Sequence, residues 1–74
     1  MIGDNIRFLR EDSNLSPKGL SALLNTSRQT VYNWENGDCK PSMENIEAMC
    51  KIFNVSVEQL LGDNDNGEND ITEY

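Results

Sequence analysis

Apolar residues along the first 61 positions recur every three or four residues, which is the spacing of one face of an α-helix. They fall into five short groups, and residues typical of turns and helix caps separate the groups. No stretch alternates apolar and polar residues in the manner of a half-buried strand. The pattern predicts an all-α domain of five short helices.

The first predicted helix begins near Asp4. Its inner face carries Ile2, Ile6 and Leu9, and it ends in the polar run at 11–14. Because Phe8 lies off that apolar stripe, we expect it at the periphery, either as a packing residue or as a contact with another protein.

The second predicted helix spans Pro17–Leu24. Ser16 caps it, and proline suits the first helical position because the N–H it lacks has no partner there. Its buried residues are Leu20 and either Leu23 or Leu24.

The third predicted helix runs from Arg28 to about Glu35, with Ser27 as its cap. Val31 and Trp34 face inward, and the pair Asn36-Gly37 stops the helix. A helix ending at Leu24, a turn of about three residues and a second helix from Arg28 have the spacing of a helix-turn-helix motif. Ordinary helical bundles contain the same arrangement.

The last two predicted helices are also bounded by caps. Ser42 opens the fourth, which ends at Asn54, and Ser56 with Gln59 forms a capping box for a short fifth helix ending at Leu61-Gly62. The inner face of the fourth helix consists of Ile46, Met49, Cys50 and Phe53.

An asparagine followed two residues later by a serine occurs three times between predicted helices, at Asn14-Leu-Ser16, Asn25-Thr-Ser27 and Asn54-Val-Ser56. Asparagine tolerates the left-handed conformation that ends a helix, and serine caps the next one. Each triplet also matches the N-glycosylation pattern, but a turn followed by a cap explains all three.

The central run is specific enough to indicate a family. SRQTVYNWENG at 27–37, followed by Lys40-Pro41, closely resembles the lambda-repressor-like helix-turn-helix domains, also called Cro-type or xenobiotic-response-element domains. The resemblance extends from IGDNIRFLR at 2–10 to FNVSVEQLLG at 53–62. It implies a five-helix fold, sequence-specific binding to double-stranded DNA, and a homodimer, at least on DNA, at a palindromic operator.

Base reading is expected from the N-terminal end of the third helix, which enters the major groove in such domains. Arg28, Gln29, Thr30 and Asn33 share its outward face. Arginine can read guanine, glutamine and asparagine can read adenine, and the threonine methyl group can meet that of thymine.

The remaining candidate DNA contacts have alternative roles. Ser27 caps its helix and can also reach a base, whereas Tyr32 and Lys18 reach phosphates or stay solvated. The matched positions of the family place Asn36, Lys40 and the backbone around Pro41-Ser42 at the opposite phosphate wall. We expect Arg7 and Arg10 to be surface salt-bridge partners.

Four positions depart from the family pattern. Pro17 replaces a glutamine that donates to phosphate, so this anchor is lost. Gly19 replaces a frequent glutamate, Asn33 a frequent lysine, and Phe8 a polar residue.

The overall charge of −7 argues against nucleic acid, because DNA binding normally draws on basic residues. Residues 62–74, however, hold five of the 13 acidic residues and no basic one. The twenty-two residues from Ser13 to Trp34 contain two cations, Lys18 and Arg28, and no acid. We therefore expect a DNA-binding domain at 2–61, with its motif at about 17–36, and an acidic, disordered tail at 62–74.

Enzymatic, metal-binding and membrane functions receive no support. The chain has no histidine, and Cys39 and Cys50 have no zinc-like spacing. We expect no cofactor or metal. Neither a signal peptide nor an apolar run of about 20 residues is present, so a cytoplasmic location is expected.

The sequence therefore favours a transcriptional regulator, and specifically a repressor. The alternative is a protein-interaction module of the same fold with weak DNA affinity, including an antitoxin-like protein that binds its partner through the acidic tail or Phe8.

Overall fold

The fold is seen in a computed structural model that describes residues 2–62. Within that range the chain forms five α-helices and no strand, as predicted. The helices are α1 (Ile2–Asp12), α2 (Pro17–Leu23), α3 (Arg28–Asn36), α4 (Met43–Phe53) and α5 (Val57–Leu61). The expected disorder of the tail concerns residues 63–74, which lie outside the described range.

The predicted caps are confirmed. α2 to α5 each begin after a serine whose hydroxyl oxygen accepts a hydrogen bond from a backbone N–H three residues later; these serines are Ser16, Ser27, Ser42 and Ser56. Ser56 and Gln59 complete the capping box. The turn asparagines Asn14, Asn25 and Asn54 have φ angles of 60°, 56° and 59°, which is the left-handed region that asparagine tolerates.

The helix boundaries differ from the predictions by one or two residues. α1 begins at Ile2, so that Asp4 lies in its first turn, where a carboxylate interacts favourably with the helix dipole. α2 ends at Leu23, and α3 continues to Asn36 because Gly37, at φ 85°, supplies the left-handed cap.

One hydrophobic core joins the five helices. Its buried members are Ile6, Leu20, Val31, Trp34, Ile46, Met49, Cys50, Phe53 and Leu60. The predicted inner faces of α3 and α4 are therefore confirmed. Of the two candidates near the end of α2, Leu24 packs against the core, whereas Leu23 is 59% exposed.

α1 passes very close to the C-terminal end of α3 at Gly3. A Cβ atom at this position would lie 2.6 Å from the carbonyl oxygen of Trp34 and 2.7 Å from that of Glu35. Because both are backbone atoms, no side chain can rotate away to make room. Glycine is thus required for the helices to cross at this distance.

Arg10 is not on the surface, and the expectation that it lies there is wrong. It is 7% exposed and donates from Nε to Glu35 Oε2 at 2.7 Å and from Nη2 to Glu35 Oε1 at 3.2 Å. Its Nη1 donates to the carbonyl oxygen of Leu15 at 2.9 Å. Arg10 lies four residues after the buried Ile6, so helical spacing directs both inward. The same expectation is confirmed for Arg7, whose exposed side chain lies 3.8 Å from that of Glu11.

Candidate nucleic-acid interface

α2, the following turn and α3 form the predicted helix-turn-helix unit. The N–H of Thr26 donates to the carbonyl oxygen of Ser21 at 2.9 Å and closes the turn. On α3, Val31 is fully buried and Trp34 is 3% exposed. The inner face of α3 is thus held by the core, which leaves the opposite face available to a ligand.

The outer face of α3 collects the predicted reading residues at its N-terminal end. Arg28 and Gln29 are exposed, and Thr30 and Asn33 are half-buried. Ser27 caps the helix: its Oγ accepts from the N–H of Thr30 at 3.1 Å and lies 2.8 Å from Thr30 Oγ1. The capping role of Ser27 is confirmed, and its hydroxyl is already engaged with Thr30.

Gln29 and Asn33 are joined by a hydrogen bond along the outer face. Gln29 Nε2 donates to Asn33 Oδ1 at 3.0 Å. Residues four apart are neighbours on a helix surface, and amide pairs at this spacing form such bonds. Two of the predicted readers are therefore in direct contact with each other.

The electrostatics of this face favour an anion more than the overall charge suggests. Neither α2 nor α3 has an acidic residue in its first turn, so the partial positive charge of each helix N-terminus is unopposed. Glu35 is the single acidic residue of α3. Its side chain is 6% exposed and is paired with Arg10.

That ion pair also stabilises the charged form of Arg10. The hydrogen bond to Glu35 raises the pKa of the Arg10 guanidinium above its ordinary value. Arg10 is thereby paired with Glu35 and holds α3 from its inner side.

The predicted phosphate-contact residues occupy separate places around α3. Asn36 ends the helix, and Lys40 is exposed in the loop before α4. The loop is folded back on α3, since the N–H groups of Asp38 and Cys39 donate to the carbonyl oxygen of Asn33 at 2.9 and 3.3 Å. Asp38 is exposed and brings an acid within two residues of Lys40.

The two other candidates are accessible as well. Lys18 is exposed in the first turn of α2, and Tyr32 is 41% exposed on α3. Pro17 occupies the first helical position, as predicted, and offers no donor beside Lys18.

Sequence reasoning missed three long-range contacts of α1. Two of them position α3, namely the close approach at Gly3 and the Arg10–Glu35 pair, and the third anchors α5. In the last, Asn5 Nδ2 donates to the carbonyl oxygens of Leu60 at 2.8 Å and Gly62 at 3.0 Å. The burial of Arg10 could have been inferred from its position four residues after Ile6, because both lie on the same helix face. The partners of Gly3 and Asn5 are distant in sequence, so neighbouring residues gave no indication of them.

The other chemistry-bearing groups do not assemble into a site in the described part of the chain. Residues 2–62 contain no group of three or more histidine, cysteine or carboxylate side chains that could hold a metal ion. Cys39 is exposed and Cys50 is buried. Burial, with a smaller contribution from Glu47, raises the pKa of the Cys50 thiol. No helix within this range is long and apolar enough to cross a membrane.

The chain is similar in sequence to several known proteins. The chain is 34% identical over 65 residues to the HTH-type transcriptional regulator DicA of Escherichia coli, covering 86% of the chain and 48% of DicA. It is 35% identical over 72 residues to the competence pilus inhibition repressor of Acinetobacter baylyi, covering 95% of the chain and 66% of that protein. It is also 35% identical over 63 residues to antitoxin PezA of Streptococcus pneumoniae, covering 85% of the chain and 40% of PezA.

The chain thus spans less than two thirds of the length of these relatives. The domain itself is matched almost completely, because residues 6–60 fit the helix-turn-helix family. That range includes α2, the turn, α3 and the core residues behind them. The chain belongs to the helix-turn-helix family of the lambda repressor/Cro type.

Proposed function

We propose that residues 2–61 form a domain that binds double-stranded DNA sequence-specifically and regulates transcription, acting as a repressor. The observation that carries this proposal is the outer face of α3, which combines exposed polar side chains with an acid-free helix N-terminus. Relatives named as a transcriptional regulator and a repressor support the same function. A cytoplasmic location belongs to this proposal, since that is where a bacterial operator is found.

In this function the candidate DNA contacts divide into two classes. Arg28, Gln29, Thr30 and Asn33 face the base edges in the major groove. Ser27 caps the helix and can also reach a base, whereas Tyr32, Asn36, Lys40 and Lys18 lie around the reading face and contact the phosphate backbone. Base contacts give sequence preference, whereas phosphate contacts give affinity and orientation.

A homodimer on a palindromic operator completes the proposal. One α3 helix of nine residues contacts only a few base pairs. Two copies related by a two-fold axis would read two half-sites separated by about 34–36 Å, one turn of DNA. Protection of bound DNA from cleavage would reveal two symmetric half-sites at this spacing.

The proposal is tested by selecting binding sites from random duplex DNA with the wild-type chain and two single variants. Gln29→Ala is expected to change the preferred base at one position of each half-site, because losing a bidentate base contact costs about 1–3 kcal/mol. Lys40→Ala is expected to retain the preferred site and to bind all sequences more weakly. The slope of log affinity against log salt concentration should become shallower by about one.

Each result has a distinct meaning. A wild-type chain that selects no sequence would refute sequence-specific DNA binding. If Gln29→Ala selects an unchanged site, DNA binding stands but the assignment of the reading face is wrong. Loss of preference in Lys40→Ala would show that the loop, too, reads bases.

A second candidate function is binding of a second copy of this chain through Phe8. Its side chain is 66% exposed and borders a shallow groove of about 210 Å³ that is also lined by Asn5, Leu9, Val55 and Gln59. Phe8→Ser should abolish concentration-dependent association in sedimentation experiments, whereas Met43→Ser, at a residue 56% exposed on α4, should not. Equal association of both variants and the wild type would remove this candidate.

A further inference from the structure

The hydrogen bond between Gln29 and Asn33 bears on which base is read and by which residue. A glutamine amide has two N–H donors and one carbonyl acceptor. One Nε2 hydrogen of Gln29 is engaged by Asn33 Oδ1 at 3.0 Å. The second hydrogen and Oε1 remain available for DNA.

The remaining donor and acceptor are the pair that adenine requires. In the major groove adenine presents N7 as an acceptor and its N6 amino group as a donor, and glutamine pairs with both at once. A glutamine amide that rotates freely would present its two ends in either order. The bond to Asn33 favours the order in which Nε2 lies toward the next helical turn and Oε1 faces away from Asn33.

Asn33 is less suited to reading a base of its own. It is half-buried, whereas Gln29 one turn earlier is exposed. Its Oδ1 accepts from Gln29, and its backbone carbonyl accepts from the N–H groups of Asp38 and Cys39 at 2.9 and 3.3 Å. Asn33 thus links the reading face to the loop that follows α3, and one of the two lone pairs of its side-chain oxygen is already occupied by Gln29.

We propose that Asn33 is a positioning residue that acts on DNA through Gln29, holding the Gln29 amide in the orientation that recognises adenine. This inference rests on the proposed DNA-binding function. Holding the amide in place before binding lowers the ordering cost on DNA, which is a general source of affinity and selectivity. Only the acceptor oxygen of Asn33 is needed for this role.

The requirement for an acceptor defines the variants. Asn33→Leu removes the acceptor at nearly constant size, whereas Asn33→Asp retains it. The added charge of aspartate weakens binding to every DNA alike. The measured quantity is therefore the ratio of affinities for the selected site and for sites changed at one base pair, in which a uniform loss cancels.

The expected results form a double-mutant cycle with Gln29→Ala. Wild-type discrimination at the adenine read by Gln29 should be about 5- to 140-fold. Asn33→Leu should reduce it several-fold, Asn33→Asp should preserve it, and Asn33→Leu should have no further effect on it in the Gln29→Ala background. All other base pairs should be discriminated as in the wild type.

A measurement on the free protein separates positioning from general stability. The side-chain amide resonances of Gln29 should show increased mobility in Asn33→Leu and wild-type order in Asn33→Asp. The thermal midpoints of the two variants and of the wild type serve as the folding control.

Opposite outcomes are distinguishable. If Asn33→Leu relaxes discrimination at a different base pair and its effect multiplies with that of Gln29→Ala, Asn33 is an independent reader and the inference is overturned. Unchanged discrimination in Asn33→Leu also overturns it, while sequence-specific binding stands. A wild-type chain without any preferred site refutes both this inference and the proposed function.

Discussion

The two faces of α3 follow opposite physical rules although they belong to one helix of nine residues. On the inner face, Val31 and Trp34 are buried in the core, and the Glu35 carboxylate is paired with Arg10. On the outer face, Arg28 and Gln29 are exposed polar residues. Burial of the inner face stabilises the folded state, whereas the outer face keeps its polar groups available to a ligand.

This difference means that stability and recognition should respond to different substitutions. Changes on the inner face should lower the free energy of unfolding. Changes on the outer face should leave that quantity nearly constant and alter only binding. The following predictions test this separation, starting from the largest expected effect.

Trp34→Ala should have the largest effect, lowering the free energy of unfolding by about 3–5 kcal/mol, the usual range for a buried aromatic residue. Because whole domains are stable by only about 5–15 kcal/mol, much of this variant should unfold at moderate temperature. In the wild type, the Trp34 emission should be blue-shifted and should change little when DNA is added. Emission at the wavelength of free tryptophan, quenched by DNA, would show that Trp34 is part of the reading face.

Arg10→Met should cost about 3 kcal/mol, the lower end of the range for breaking a buried ion pair, because it leaves the Glu35 carboxylate without its partner. Arg7→Met is the matched control, and it should cost about 1 kcal/mol or less since its pair with Glu11 is exposed. Denaturant unfolding would measure both values. The double variant Arg10→Met/Glu35→Leu should recover part of the loss, and failure to do so would show that packing of Arg10 dominates over its charge.

Gly3→Ala should lower the free energy of unfolding by about 1–3 kcal/mol, as overpacking commonly does. The added methyl group would meet the backbone oxygens of Trp34 and Glu35. Gly19→Ala is the comparison, because the nearest atom there is the Ser16 hydroxyl at 3.3 Å, and helix propensity favours alanine by about 1 kcal/mol. In thermal unfolding, Gly3→Ala should therefore lose more stability than Gly19→Ala. Equal losses of stability would contradict the close approach of α1 to α3.

Tyr32→Ala and Gln29→Ala should have the smallest effects on folding, within about 0.5 kcal/mol of the wild type, as is usual for surface positions. Tyr32 is 41% exposed and Gln29 lies on the outer face. Denaturant unfolding would measure these changes next to DNA affinity. A loss of more than about 1 kcal/mol at either position would show that the outer face also contributes to the core.

The helix starts and the burial pattern were predictable from sequence because they depend on neighbours in the chain. A serine cap acts on an N–H three residues away, and an apolar residue shares its face with residues three or four positions along. The inner positions Val31 and Trp34 and the exposed positions Arg28 and Gln29 follow from this short-range rule. The spacing also placed Gln29 next to Asn33, but not the direction of their hydrogen bond.

The tertiary structure alone decided which distant groups meet. Arg10 and Glu35 are 25 residues apart, and charge and periodicity on each helix do not reveal how α1 crosses α3. The same crossing makes glycine necessary at position 3, and the packing of α2 selects Leu24 over Leu23 for the core. The sequence by itself thus determined the helices and the faces they present. The crossing of those helices, set by packing across the whole core, determined which charges are buried and which remain for a ligand.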